Sequence, residues 1–159
     1  MVYEVGGDVL QVVAFAVFVV GTAVLAAIDA RTMLLPNRVL YPVAWSGLGL
    51  LAAAAGVSGS WARLVTALLS GAVAVAVFFL VHRTSELGLG DVRLAGLIGF
   101  FLGWFGPGAV LAGLGLGVGL GALVGAVLLA ARKVGRRSML PYGPFLVAGA
   151  WIALLRAAV

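Results

Sequence analysis

Long stretches without a single charged side chain dominate this sequence: Val9–Ile28, Val39–Ala62, Leu64–Val81 and Leu94–Ala131 contain no Asp, Glu, Lys or Arg. A helix needs about 20 mostly apolar residues to cross the hydrocarbon core of a bilayer. Inside that core every backbone N–H and C=O must pair within the protein, which leaves helices as the natural solution for runs of this length. The 64% hydrophobic and 9% charged content also lies far outside soluble usage, where apolar residues make up roughly 45–50%. The expected fold is therefore all-α, a polytopic membrane protein. Charge and turn breaks divide the chain into six candidate spans, approximately 10–28, 39–56, 62–81, 92–105, 108–131 and 139–157. The fourth is short for a full crossing. Together they consume nearly all of residues 1–159, so the chain reads as one integral-membrane domain with no separate soluble domain.

The few charges report orientation. Residues 1–8 carry Glu4 and Asp8 and no base, the reverse of a signal-peptide start, so the first apolar run is expected to be a retained span. With the acidic N-terminus outside, Arg31, Arg38, Arg83, Arg93, Arg132, Lys133, Arg136 and Arg137 fall in cytoplasmic segments, and only Arg63 and Arg156 lie outside. The positive-inside rule favours that arrangement strongly. The expected location is the cell's inner (plasma) membrane, and the basic residues from Arg132 to Arg137 read as contacts to anionic lipid, with no nucleic-acid partner. Cysteine is absent and His82 is the single histidine, which excludes disulfides and argues against thiolate or histidine metal sites. No cofactor is expected. Trp61 and Trp104 fall near the outer boundary and read as interfacial anchors.

Against this background two acids stand out. Asp29 closes the first apolar run and Asp91 opens the fourth span. Ionisable groups at membrane edges are costly and mark functional sites by default. Charge counting alone puts both at the cytoplasmic face. Two carboxyls a few ångströms apart share one proton over a wide pH range, a combination that suits peptide hydrolysis by an activated water. Helix macrodipoles suggest a division of labour, with Asp91 ionised at a helix N-terminus and the proton on Asp29 near a C-terminus.

The flanking residues shape this candidate site. Gly88 and Gly90 bracket Leu89 just before Asp91, so the backbone there can take positive φ and lie close to an extended peptide. Pro36 stops one helix, and Asn37 is placed to cap the first turn of the next. Glu86 precedes the Gly-x-Gly run and could meet a basic substrate segment. Gly113, Gly117, Gly121 and Gly125 recur every fourth residue, a ridge for close helix packing.

Taken together, Asp29 followed by six residues and Pro36-Asn37, the run Gly88-Leu-Gly-Asp91-Val-Arg-Leu94, and Pro141-Tyr-Gly-Pro-Phe-Leu146 resemble the type IV prepilin peptidase family over most of the chain. The resemblance implies Asp29 and Asp91 as an aspartic protease pair that removes short basic leaders from prepilin-like preproteins at the cytoplasmic face, after a glycine and before pilus or secretion-system assembly, and it implies substrates whose leader is followed by an apolar helix. Arg93 stands where many members carry lysine, and Tyr142 where phenylalanine is frequent. Larger members carry an N-terminal segment with Cys-x-x-Cys pairs linked to N-methylation. This sequence contains no such segment, and a peptidase-only core is expected.

Three other readings compete. The acids could relay protons in a small coupled transporter, although such sites usually sit at the midplane between repeated halves. A purely structural assembly subunit would tolerate Asp→Asn at both positions. A presenilin-type protease would place Tyr before its first aspartate, where this chain has Ile28. Nothing in the sequence fixes the oligomeric state.

Overall fold

The computed structural model describes residues 2–85, 87–132 and 141–159, with side-chain detail from residue 5 onward. They form six helices and, among the described residues, no strand: α1 (Val2–Thr32), α2 (Asn37–Ser58), α3 (Trp61–Thr84), α4 (Leu89–Gly103), α5 (Pro107–Ala130) and α6 (Gly143–Ala158). The all-α class read from the sequence holds. Lys133, Arg136 and Arg137 lie outside the described residues, as does the expected start of the sixth span.

Helix ends fall where the backbone leaves little choice. Gly59 closes α2 in the left-handed conformation (φ 69°), which glycine adopts without steric cost. Pro107 opens α5, where its missing N–H costs nothing. At the end of α1 the left-handed residue is Met33 (φ 53°), whose side chain makes that stop unfavourable by about 1–2 kcal/mol.

Four helices, Val5–Thr32, Asn37–Ser58, Trp61–Thr84 and Pro107–Ala130, are long and apolar enough to cross a membrane, and Gly143–Ala158 is shorter. The fourth candidate span, read as short for a full crossing, is short in the structure as well. Its 15 residues rise only about 22 Å at 1.5 Å each. All of Leu94–Gly103 is buried, so α4 is the hub of the bundle, and a helix wrapped by its neighbours need not match the hydrocarbon thickness.

Three sequential pairs, α1–α2, α3–α4 and α5–α6, supply most of the packing, and α4 joins them through α2, α5 and α6. Phe18 of α1 stacks on Phe101 of α4 with ring centroids 4.5 Å apart, and Phe15 meets the same ring edge-on at 5.7 Å. The glycine ridge of α5 packs on α6: a Cβ at Gly117 would lie 2.7 Å from the Leu146 Cα, and one at Gly149 would lie 2.3 Å from the Gly117 nitrogen. Gly115 and Gly119 have open space beside them. The four-residue spacing is thus a packing seam, and the offset glycines face away. In lipid such close van der Waals contact does the work that apolar burial does in water.

The tryptophans divide. Trp61 is 55% exposed, as suits an interfacial side chain, whereas Trp104 is 3% exposed, and its Nε1 has no hydrogen-bond partner among the described residues. The boundary role read for Trp104 does not hold, because the buried end of α4 carries it inside.

Candidate active site

The chain's alternation brings the end of α1, the start of α4 and the start of α6 to one end of the bundle. Asp29 sits in the last turn of α1 and is 4% exposed. Its Oδ2 accepts the backbone N–H of Gly143 at 2.9 Å, across 114 residues of chain. Gly143 is the first residue of α6, where N–H groups lack partners within the helix and favour an acceptor. A Cβ at Gly143 would approach that same Oδ2 to 2.6 Å. Only glycine lets the carboxyl reach the amide.

Asp91 stands in the first turn of α4 and is half-buried. Its carboxyl turns back toward its own helix start, where Oδ2 would lie 3.3 Å from a Cβ at Gly88. The two aspartates are close enough for their charges to act on one another. Helix dipoles do not separate the two acids, because the start of α6 meets Asp29 just as the start of α4 carries Asp91.

The surrounding residues are placed as follows. Gly88 has φ −67° and ψ 144°, and no positive φ occurs at either Gly88 or Gly90. The left-handed freedom read for this run is therefore unused. Its glycines serve close approach instead: a Cβ at Gly90 would lie 2.9 Å from Leu35 Cβ, so the α1–α2 loop rests directly on the first turn of α4. Pro36, extended at φ −72°, occupies the N-cap position of α2, and no side chain caps that turn. The cap assigned to Asn37 is thus corrected, since Asn37 is already helical. Its Oδ1 accepts a 3.0 Å hydrogen bond from Arg93 Nη1 of α4, a second tie between the loop and the helix of Asp91. His82 donates through Nδ1 to the carbonyl oxygen of Leu87. Glu86 lies outside the described residues. Among them, no three His, Cys, Asp or Glu side chains gather as a metal site would require.

Thr22 and Trp151 escaped the sequence reading. Trp151 Nε1 donates to Thr22 Oγ1 at 3.0 Å, and Thr22, fully buried, donates to the Phe18 carbonyl at 2.7 Å. About two turns along from Asp29 and Gly143, this gives α1 and α6 a second polar rung. A lone threonine in an apolar run offers no signal until its partner helix is known.

The residues match a known family. Residues 16–135 fit the type IV leader peptidase family, and the chain belongs to it. The matched stretch includes Asp29, Pro36-Asn37 and Gly88–Asp91 but stops short of Gly143. Among curated relatives, the prepilin leader peptidase/N-methyltransferase of Pseudomonas putida is 34% identical over 139 residues, covering 82% of this chain and 45% of that protein. The protein of the same name from Burkholderia pseudomallei strain 1026b is 33% identical over 147 residues, covering 86% and 44%. That from Pseudomonas aeruginosa is 31% identical over 140 residues, covering 85% and 46%. The chain spans slightly less than half the length of these relatives. No solved structure matches it.

Proposed function

We propose that residues 1–159 form a membrane-embedded aspartic endopeptidase that removes the basic leader from type IV prepilin-like preproteins, with Asp29 and Asp91 as its catalytic pair. The carrying observation is that two acids from separate helices, in the last turn of α1 and the first turn of α4, stand at one bundle end, with Asp29 Oδ2 held by the Gly143 amide. Family membership supports the substrate class. The positive-inside distribution supports a plasma-membrane location with the N-terminus outside and the site at the cytoplasmic face.

In this reading Gly143 takes one oxygen of Asp29, which leaves Oδ1 to exchange the shared proton. The ionised carboxyl draws a proton from water as the water oxygen bonds to the scissile carbonyl carbon, and the protonated carboxyl donates to the carbonyl oxygen. The tetrahedral intermediate then collapses. Its C–N bond breaks, the leaving nitrogen takes a proton, and one carboxyl is again ionised while the other is protonated. Low water content at the membrane edge strengthens each electrostatic contribution. Gly88, Gly90, Pro36 and Asn37 shape the wall against which the substrate strand lies, and Glu86 meets its basic leader.

Co-expression with a prepilin-like preprotein tests the assignment. Asp29→Asn and Asp91→Asn are each expected to slow leader removal by about 10²–10⁴-fold, the usual size of an acid–base contribution. Native-rate processing by either variant removes that residue from the mechanism. A proton relay across the bilayer finds less support, because the acids occupy the last turn of α1 and the first turn of α4 rather than the midplane such carriers use.

A further inference from the structure

The α2–α3 connection is short, Gly59–Ser60, yet these helices touch far less than the other sequential pairs. The gap they leave is an apolar groove of about 370 Å³ that has α4 as its floor. Its lining runs from Leu40 to Leu48 on α2, from Leu68 to Val75 on α3 and from Arg93 to Phe100 on α4. At 1.5 Å per residue each helix gives the same length, about 10–12 Å, or two helical turns. The end that begins at Leu40 and Arg93 is the end that carries the aspartates.

We propose that this groove holds the apolar helix of the preprotein, seating the first two turns that follow the cut. The inference rests on the peptidase reading above and adds the path by which substrate reaches the site. A helical substrate with its junction at the acids must leave sideways, and two neighbouring sides are closed. α1 and α2 pack closely along one side, and α6 closes on Asp29 through Gly143. A second apolar cavity, about 500 Å³ between α3 and α5, includes no residue of α1 or α4 and so lacks contact with either acid-bearing helix.

Charge fixes which half of the substrate enters. Among the described residues Arg93 is the only charged one lining the groove, and it stands at the mouth two residues beyond Asp91, tied to Asn37. A guanidinium there repels a basic leader and leaves the apolar helix as the part that fits. Arg93 thus orients the preprotein, with its leader toward the aqueous loops and its helix along α4.

The probe is a single-span preprotein reporter with a basic leader, a glycine junction and a Leu/Val helix, carrying a benzophenone side chain in the first two turns after the junction. It is reconstituted with the Asp91→Asn chain in phosphatidylethanolamine/phosphatidylglycerol vesicles, irradiated, and its adducts are mapped. Adducts on Tyr41, Trp45 or Ala72 are expected. Adducts centred on Leu111 in the second cavity, or spread evenly over lipid-facing residues such as Val118 and Leu123, overturn the proposal. In cleavage assays Ala72→Trp, which fills the groove, raises KM by about tenfold or more with a smaller effect on kcat, and an unchanged KM counts against it. The native chain is assayed on the same reporter. Cleavage with adducts elsewhere defeats the groove alone, whereas no cleavage defeats the peptidase reading and the groove with it.

Discussion

Asp29 and Asp91 reach the same end of the bundle by opposite means. Asp91 is placed locally, in the first turn of α4 with its Oδ2 turned back beside Gly88, three residues earlier. Asp29 is held from afar, by a backbone amide 114 residues away on a helix that must first dock against α1. The local arrangement survives small changes elsewhere in the fold. The distant one depends on every contact that sets α6 against α1, and the two should therefore fail differently.

The largest contrast is expected between two glycine-to-alanine changes. In Gly143→Ala the added methyl meets Asp29 Oδ2 at 2.6 Å, so the carboxyl must move off the amide. Misplacement of about 1 Å can cost around 100-fold in rate, and leader removal should fall by about that factor in a chain that still folds. In Gly88→Ala the methyl would lie 3.3 Å from Asp91 Oδ2, a gap that a slight shift relieves, and processing should stay within about threefold of native. Equal losses in the two variants, read from initial cleavage rates, would break the contrast.

Next comes the second rung between α1 and α6. Trp151→Phe keeps most of the ring and removes the donor to Thr22 Oγ1. Hydrogen bonds between membrane helices average about 0.6 kcal/mol and reach about 1.7, so a loss of that order in unfolding stability is expected in denaturant titrations in detergent. Activity should fall with it while Asp91's local setting is untouched. Thr22→Ser, which retains the hydroxyl, should recover most of the activity that Thr22→Val loses.

Asn37→Ala tests the tie from the α1–α2 loop to α4. Loss of its bond to Arg93 should reduce stability by about 0.5–1.5 kcal/mol, and less if water replaces the amide, because both side chains are exposed. The smallest effect is expected at Met33. Met33→Gly relieves the left-handed strain at φ 53° and should stabilise the chain by up to about 1 kcal/mol, without changing cleavage.

What the sequence made legible follows the same division. The helices showed themselves because charge-free runs and Pro or Gly breaks are local signals, and the two aspartates stood out because charges are scarce. The special depth of α4 was not legible, since a short apolar run looks alike whether it is enclosed by protein or tilted in lipid. The burial of Trp104 was hidden for the same reason. Gly143 appeared within a family-like run, but its purpose, to admit the Asp29 carboxyl, is a property of two helices in contact. Thr22 and Trp151 gave no sign, because neither residue is unusual until the other is opposite. Asn37 was misread as a cap because its type suits that role, while Pro36 holds the position and Arg93 takes the amide oxygen.

The most direct test compares leader removal by the native chain, Asp29→Asn, Asp91→Asn and the double variant on one prepilin-like reporter. Groups that act as a unit give losses that do not add, so each single variant should lose nearly as much activity as the double. Independent, additive losses, or native-rate cleavage by either single variant, would contradict a shared site.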